Sequence, residues 1–177
     1  FKFERKNDVS VIHLTLLPYL SSTGEIKTKP TQHSVKTMLQ SGVQPDVIVC
    51  RTEHALTESV KNKIALFCNV DYNSVIESIN AETIYQVPLL MLSQQLDLVI
   101  AKKIGLHKLK NINNSIWRKR LQKLQNPKKQ LKVAIIGKYV ELKDSYKSIY
   151  ESLVHASALL GWKVEVKWIH SEKIGKS

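Results

Sequence analysis

The sequence predicts an α/β protein with a mostly parallel sheet, followed by the start of a second α/β unit. Three observations carry that expectation. Apolar runs rich in Val, Ile and Leu recur at residues 9–17, 47–50 and 131–136, as parallel strands buried on both faces require. Between them lie segments whose apolar residues return at helical spacing, such as Val35, Met38, Leu39 and Val43. The alternation of the two kinds of segment is that of right-handed βαβ units.

Taken in order, Val9 to Leu17 is the first strand. The polar stretch Thr23 to Thr31 follows it, at the carboxyl end where open α/β sheets place their ligands. A helix is expected to start at Gln32, His33 and Ser34 and to stop near Gly42. Pro30 fixes its own φ and disfavours a helical Lys29, which predicts a stiff, extended loop. Val47 to Cys50 is the second strand, Arg51 to Thr57 a loop, and Val60, Ile64, Ala65 and Phe67 mark the next helix. Val75 and Ile76 suggest a short third strand, and Ala81 to Ile104 a helix interrupted near Pro88. From His107 the pattern breaks. Lys108 to Lys129 is polar and basic, with a helix around Trp117 to Leu124 closed by Asn126-Pro127, and reads as a linker. Leu131 to Ile136 then starts a fresh strand, Gly137-Lys138-Tyr139 a turn, Tyr146 to Leu160 an amphipathic helix and Trp162 to Ile169 an alternating strand.

Composition narrows the function classes. A chain of 177 residues can hold one domain or parts of two. It contains no apolar run of membrane-spanning length and no charged-then-apolar leader, so neither a span nor a signal peptide is predicted. It opens at Phe1 without an initiating Met and stops just after an apparent strand, so both ends read as cuts and a fragment is expected. Cys50 and Cys68 sit in apolar runs without close metal-ligand spacing, which predicts buried free thiols in a reducing, cytoplasmic setting.

The net charge of +12 is local: residues 101–132 hold eleven of the 27 Lys and Arg and no Asp or Glu, leaving 16 basic and 15 acidic residues elsewhere. A nucleic-acid or acidic-protein-binding module acting through 101–132 is the competing function. Its aromatic content is Trp117 alone, which argues against base stacking and for a solvated connecting helix.

The stretch most suited to chemistry is 27–32. Lys27, Thr28, Lys29, Pro30, Thr31 and Gln32 place two cations, two hydroxyls and an amide beside a helix start, all of which favour phosphate. On composition alone a solvated basic loop competes with an anion site. The terminal Gly175-Lys176-Ser177 lacks the spaced glycine and following helix of a phosphate loop. His13, in an apolar strand, reads as a satisfied structural histidine, and Asp144 as a helix cap ahead of Tyr146 and Lys147.

An ordered set of motifs resembles the CTP synthase family. It comprises Ile12-His13-Leu14-Thr15-Leu16 with Pro18-Tyr19, Thr23-Gly24-Glu25, Lys27 to Ser34, Pro45-Asp46, Cys50-Arg51 and Lys63 to Cys68. Ile84-Tyr85, Val87-Pro88 and Gly137 to Leu142 with Asp144, Tyr146 and Lys147 continue it. The resemblance implies a Rossmann-like sheet of the P-loop NTPase type and, beyond the linker, the start of a flavodoxin-like domain. It assigns residues 1–105 to the later part of the amidoligase domain, 106–131 to a basic interdomain linker and 132–177 to the opening of a class I glutamine amidotransferase domain. It implies a ligase that makes CTP from UTP with ATP, Mg2+ and ammonia from glutamine. Lys27, Thr28, Lys29, Pro30, Thr31, Gln32 and Lys63 would bind UTP as substrate or CTP as inhibitor. Asn80 and Ala81 would contact the ATP adenine through backbone. Catalytic residues and Mg2+ ligands would lie outside this chain, so the isolated piece is expected to be inactive. The resemblance also implies a homotetramer, with filaments as formed by some members of the family; no membrane or nucleic-acid partner is implied.

Overall fold

The structure is a computed structural model describing residues 1–5, 7–106 and 113–175. It contains two compact units, Phe1–Lys110 and Asn111–Ser177, each treated by itself below. His107, Lys108, Lys110 and Asn111 of the expected linker, and Lys176 and Ser177 of the terminal motif, lie outside the described residues.

In the first unit, strands β1 (Ile12–Leu16), β4 (Val47–Arg51) and β5 (Val75–Ser78) form a parallel sheet in that order. Helices α1 (Lys29–Gln40) and α2 (Glu58–Cys68) belong to one face, where Leu17, Val35, Ile48, Cys50, Ile64, Cys68 and Val75 close a core. On the other face Met91, Leu96 and Val99, from α3 (Val87–Ser93) and α4 (Leu96–Lys103), pack on Val47, Val49 and Ile76. The mostly parallel α/β reading therefore holds.

Several local expectations change. The first strand is not buried on both faces: Ile12, Leu14 and Leu16 are 45%, 68% and 64% exposed, because the apolar side chains of α3 and α4 lie on β4 and β5. The segment after β1 is not an open loop. Tyr19–Leu20 (β2) and Glu25–Ile26 (β3) pair antiparallel, and Gly24, at φ +67°, donates its N–H to the Leu20 carbonyl at 2.8 Å. A side chain at that left-handed position would be strained, which is the local reason for glycine there.

Helix α1 begins at Lys29, three residues before the expected start, with Pro30 in its first turn. Helix-first-turn positions have no intrahelical acceptor, so the missing proline N–H costs nothing, and this outweighs the bias against a helical residue before proline. For the same reason Pro88 opens α3 instead of breaking it. The interruption falls at Gln94 and Gln95, the latter at φ +60°, and the segments on either side meet at 64°. Gln94 fills the gap chemically: its Oε1 accepts from the Glu77 N–H and its Nε2 donates to the Glu77 carbonyl, both at 2.8 Å, so that the amide pairs with the free edge of β5. Among the described residues no single helix is long and apolar enough to cross a membrane; the bent pair that passes together on composition contributes Met91, Leu96 and Val99 to the core.

Helix boundaries elsewhere follow ordinary capping. Gly42, at φ +78°, ends α1 by donating to the Leu39 carbonyl. Thr57 caps α2 by accepting from Val60 N–H, and Asn69 ends it in the left-handed conformation. Phe67 does not join the α2 core; it is 60% exposed, whereas Ile64, Ala65 and Cys68 point inward.

In the second unit β6 (Lys129–Gly137) and β7 (Trp162–His170) pair in parallel, joined by α6 (Lys147–Leu160), a single βαβ step. Helix α5 (Ser115–Gln125) contacts α6 within this unit. Asp144 lies in a short 3-10 turn (Lys143–Tyr146) and makes no side-chain cap. Gly137 leaves room for Tyr146, whose ring and hydroxyl a Cβ there would displace and which itself leans on Trp168 at 6.0 Å.

Candidate functional site

The polar residues of the first unit gather at the carboxyl ends of its strands. β1, β4 and β5 end at Leu16, Arg51 and Ser78, and backbone bonds staple these ends together: Leu17 N–H to the Arg51 carbonyl at 2.8 Å and Thr52 N–H to the Ser78 carbonyl at 3.1 Å. The β2–β3 hairpin leaves this edge and returns to it, where Lys27 N–H meets the Pro18 carbonyl at 2.9 Å. The amino end of α1 is thus delivered to the edge of the sheet.

The six residues of the motif divide by role. Thr31 is fully buried; its hydroxyl lies 3.1 Å from that of Thr15 and donates to the Leu16 carbonyl at 3.4 Å. It joins α1 to β1 from below, so the side chain faces the core and not the rim. Thr28, 5% exposed, sits at the N-cap position, where its hydroxyl accepts from Gln32 Nε2 at 3.1 Å instead of from a helix N–H. Lys29 and Pro30 are exposed on the first turn. Among the described residues Lys29 and Lys63 carry no ion pair, while Lys27 holds Glu25 at 2.5 Å. That contact, then the Lys27 charge and then Lys63, hold the Glu25 carboxyl below its usual range.

Lys63, far away in sequence, comes to the same place. It lines a depression of about 490 Å³ with Thr28, Glu25, Gly24, Tyr19, His54 and Thr57. Tyr19 and His54 meet edge to face at 4.1 Å on its wall. Thr28 and Lys63 are therefore brought together, with Lys27 reaching Glu25 on the same wall. Tyr19, His54, Thr57 and Glu25 did not stand out in the sequence. Tyr19 and Glu25 lay inside quoted motifs, but a hairpin had to fold them over the loop before their position meant anything.

Asn80 and Ala81 form a second locus beyond β5. The Arg51 guanidinium reaches across from β4, donating to Asn80 Oδ1 at 2.5 Å, to the Ser78 carbonyl at 3.2 Å and to the Thr52 carbonyl at 2.8 Å. Arg51 thereby fixes the backbone leading into Asn80.

Other candidates are structural. His13 Nε2 lies 2.9 Å from Ser34 Oγ, tying β1 to α1. Cys50 and Cys68 are buried and free, with burial pushing their thiols up to about 12 and about 11, far from a reactive thiolate. The basic residues of 101–132 are partly engaged: Lys103 pairs with Asp71, Lys123 donates to the Leu159 carbonyl, and Lys129 lies 5.6 Å from the Trp162 ring centre. Among the described residues no group of three His, Cys, Asp or Glu side chains is placed to hold a metal ion.

A parallel α/β unit with polar loops collected at the carboxyl edge of its strands is a Rossmann-like domain. Residues 1–106 match the family model described as the CTP synthase N-terminus, and the chain belongs to that family. Its similarity to individual members runs further along the chain. It is 52% identical to the CTP synthase of Cytophaga hutchinsonii over 96% of this chain and 31% of that protein. It is 54% identical to that of Christiangramia forsetii over 94% of the chain and 31% of the relative. For the CTP synthase of Methanocaldococcus jannaschii the identity is 46% over 96% of the chain and 31% of the relative. The chain thus spans about a third of the length of these curated relatives.

Proposed function

We propose that this chain supplies the uridine and cytidine triphosphate site of an enzyme that aminates UTP to CTP with ATP and ammonia drawn from glutamine. The observation that carries the proposal is the convergence of Thr28 and Lys63, from separate helices, on one depression beside Lys27 at the carboxyl edge of a parallel sheet. A triphosphate near neutral pH is a compact polyanion, and three ammonium groups with hydroxyl and helix-terminal donors match its chemistry. Lys27, Lys29 and Lys63 would neutralise the phosphates, Thr28 and Gln32 would orient them, and Pro30 would stiffen the first turn. Thr31 would hold that turn against β1 without touching the ligand.

In the proposed reaction ATP phosphorylates the 4-oxygen of UTP, and ammonia displaces the phosphate, giving CTP, ADP and inorganic phosphate. UTP as substrate and CTP as inhibitor would share the triphosphate site. Asn80 and Ala81 would present backbone to the adenine of ATP, with Arg51 holding that segment. Mg2+ would arrive with ATP; among the described residues no group of three His, Cys, Asp or Glu side chains is placed to hold it. Residues 1–105 would be the later part of the amidoligase domain, 106–131 the linker and 132–177 the opening of the glutaminase domain, within a cytoplasmic homotetramer.

The test is Lys29→Ala in the full-length protein. Loss of a charge-assisted phosphate contact costs about 1.5 to 3 kcal/mol, at least about tenfold in the UTP KM and in CTP inhibition. Unchanged values for both would refute the phosphate role.

A further inference from the structure

Glu25 is an odd residue to find beside a polyanion site. Its carboxylate lies 2.5 Å from Lys27 Nζ, lines the same depression as Thr28 and Lys63, and sits close enough to Lys63 to respond to that charge. The backbone makes this placement deliberate. Leu20 and Glu25 are paired across the hairpin, and Lys27 N–H is tied to the Pro18 carbonyl, so Glu25 and Lys27 lie two apart on extended chain and share a side.

Fold stability does not explain the pair. The two side chains are 63% and 37% exposed, and exposed ion pairs contribute little to folding. Its effect falls on whatever anion enters. A phosphoryl group approaching Lys27 must take the ammonium from Glu25 or bind with that carboxylate alongside, and either course opposes binding.

We propose that Glu25 is an internal stand-in for the ligand: it engages the Lys27 ammonium when no phosphate does and limits how tightly a triphosphate is held there. The inference rests on the reading of Lys27, Lys29 and Lys63 as the triphosphate site. A site shared by substrate and inhibitor gains from such a limit, since a triphosphate bound too tightly would leave slowly.

Glu25→Gln keeps the size of the side chain and its acceptor oxygen and removes the charge. In calorimetric titrations of the full-length protein, CTP and UTP are expected to bind about threefold to tenfold more tightly to this variant at low salt. The gain should shrink in high salt, and the nucleosides uridine and cytidine, which lack phosphates, should show none. Lys29→Ala, titrated in parallel, tests the site itself. If Lys29→Ala weakens binding while Glu25→Gln leaves it unchanged or weaker, the stand-in role is wrong and the site survives. A gain that persists undiminished in high salt, or that extends to the nucleosides, also overturns it. If neither substitution alters triphosphate binding, the site reading falls and takes this inference with it.

Discussion

Strands β1 and β4 carry similarly apolar sequences and share one ladder, yet only one of them is core. Ile12 lies opposite Val47 and Leu14 opposite Val49, and the β4 partners are 0% and 9% exposed where the β1 residues are 45% and 68% exposed. The difference comes from place, not composition. β4 has a strand on each side and apolar helix side chains against both faces; β1 is an edge of the three-stranded sheet, covered only where Thr15 and Leu17 face the α1 and α2 layer. Strand burial is set by which helices reach it, and helix reach is a tertiary fact that no local run of Val, Ile and Leu encodes.

The contrast should appear as a large inequality between two alanine substitutions. Ile48→Ala empties a fully buried position between β4 and the α1–α2 layer and is expected to cost about 2 to 5 kcal/mol. In this 177-residue chain by itself, Leu14→Ala, at a position 68% exposed, should cost under about 1 kcal/mol. Chemical denaturation followed by far-ultraviolet circular dichroism compares them, because the three tryptophans, Trp117, Trp162 and Trp168, all lie in the second unit and do not report on this sheet. Equal costs would mean that this face of β1 is covered as well as β4 is.

How far the sequence could be read follows the same logic. The alternation of elements, the α1 stop at Gly42 and the buried thiols were legible, because each depends on periodicity or on one residue's local chemistry. The hairpin at 19–26 was not: its strands are two residues each, too short for a period to show. Pro30 was read as part of a stiff loop and Pro88 as an interruption because the chain does not announce which turn of a helix a proline occupies. At the site, the chemistry of residues 27–32 was legible and their orientation was not. Thr28 and Thr31 look interchangeable as hydroxyl donors, but Thr28 caps α1 from outside and lines the depression, whereas Thr31 lies within the helix and bolts it to β1.

That separation gives a finer test. Thr31→Val preserves shape but deletes the hydroxyl that meets Thr15 and the Leu16 carbonyl, leaving polar groups at a buried contact without their partner. A cost of about 1 to 3 kcal/mol in stability is expected, together with raised hydrogen exchange in α1. Lys29→Ala, two residues earlier and exposed, should leave stability within about 0.5 kcal/mol. The pair thus divides one motif into a residue that holds the helix and a residue available to a ligand. If Thr31→Val altered triphosphate binding while leaving stability untouched, that division would be wrong.

The smallest effect concerns what keeps the second face of β4 covered. Lys103, at the end of α4, holds Asp71, just ahead of β5, at 3.0 Å, and so pins α4 over Val47, Val49 and Ile76. Hydrogen bonding to Lys103, then its charge, lowers the Asp71 carboxyl from 3.8. A depressed carboxyl contributes stability that is fully present above its unfolded-state value and is lost as pH falls through the folded-state value, so the loss occurs below about pH 4. Because the Asp71 side chain is 74% exposed, solvent screening limits the contribution to at most about 1 kcal/mol. Exchange protection of α4 should therefore fall on acidification by more than the titration of other carboxylates explains. Lys103→Met is the control, since it removes the partner and should abolish that extra loss while lowering protection at neutral pH. If wild type and variant lost protection in parallel, the ion pair would play no part in covering β4, and apolar contact from Met91, Leu96 and Val99 would account for its difference from β1 unaided.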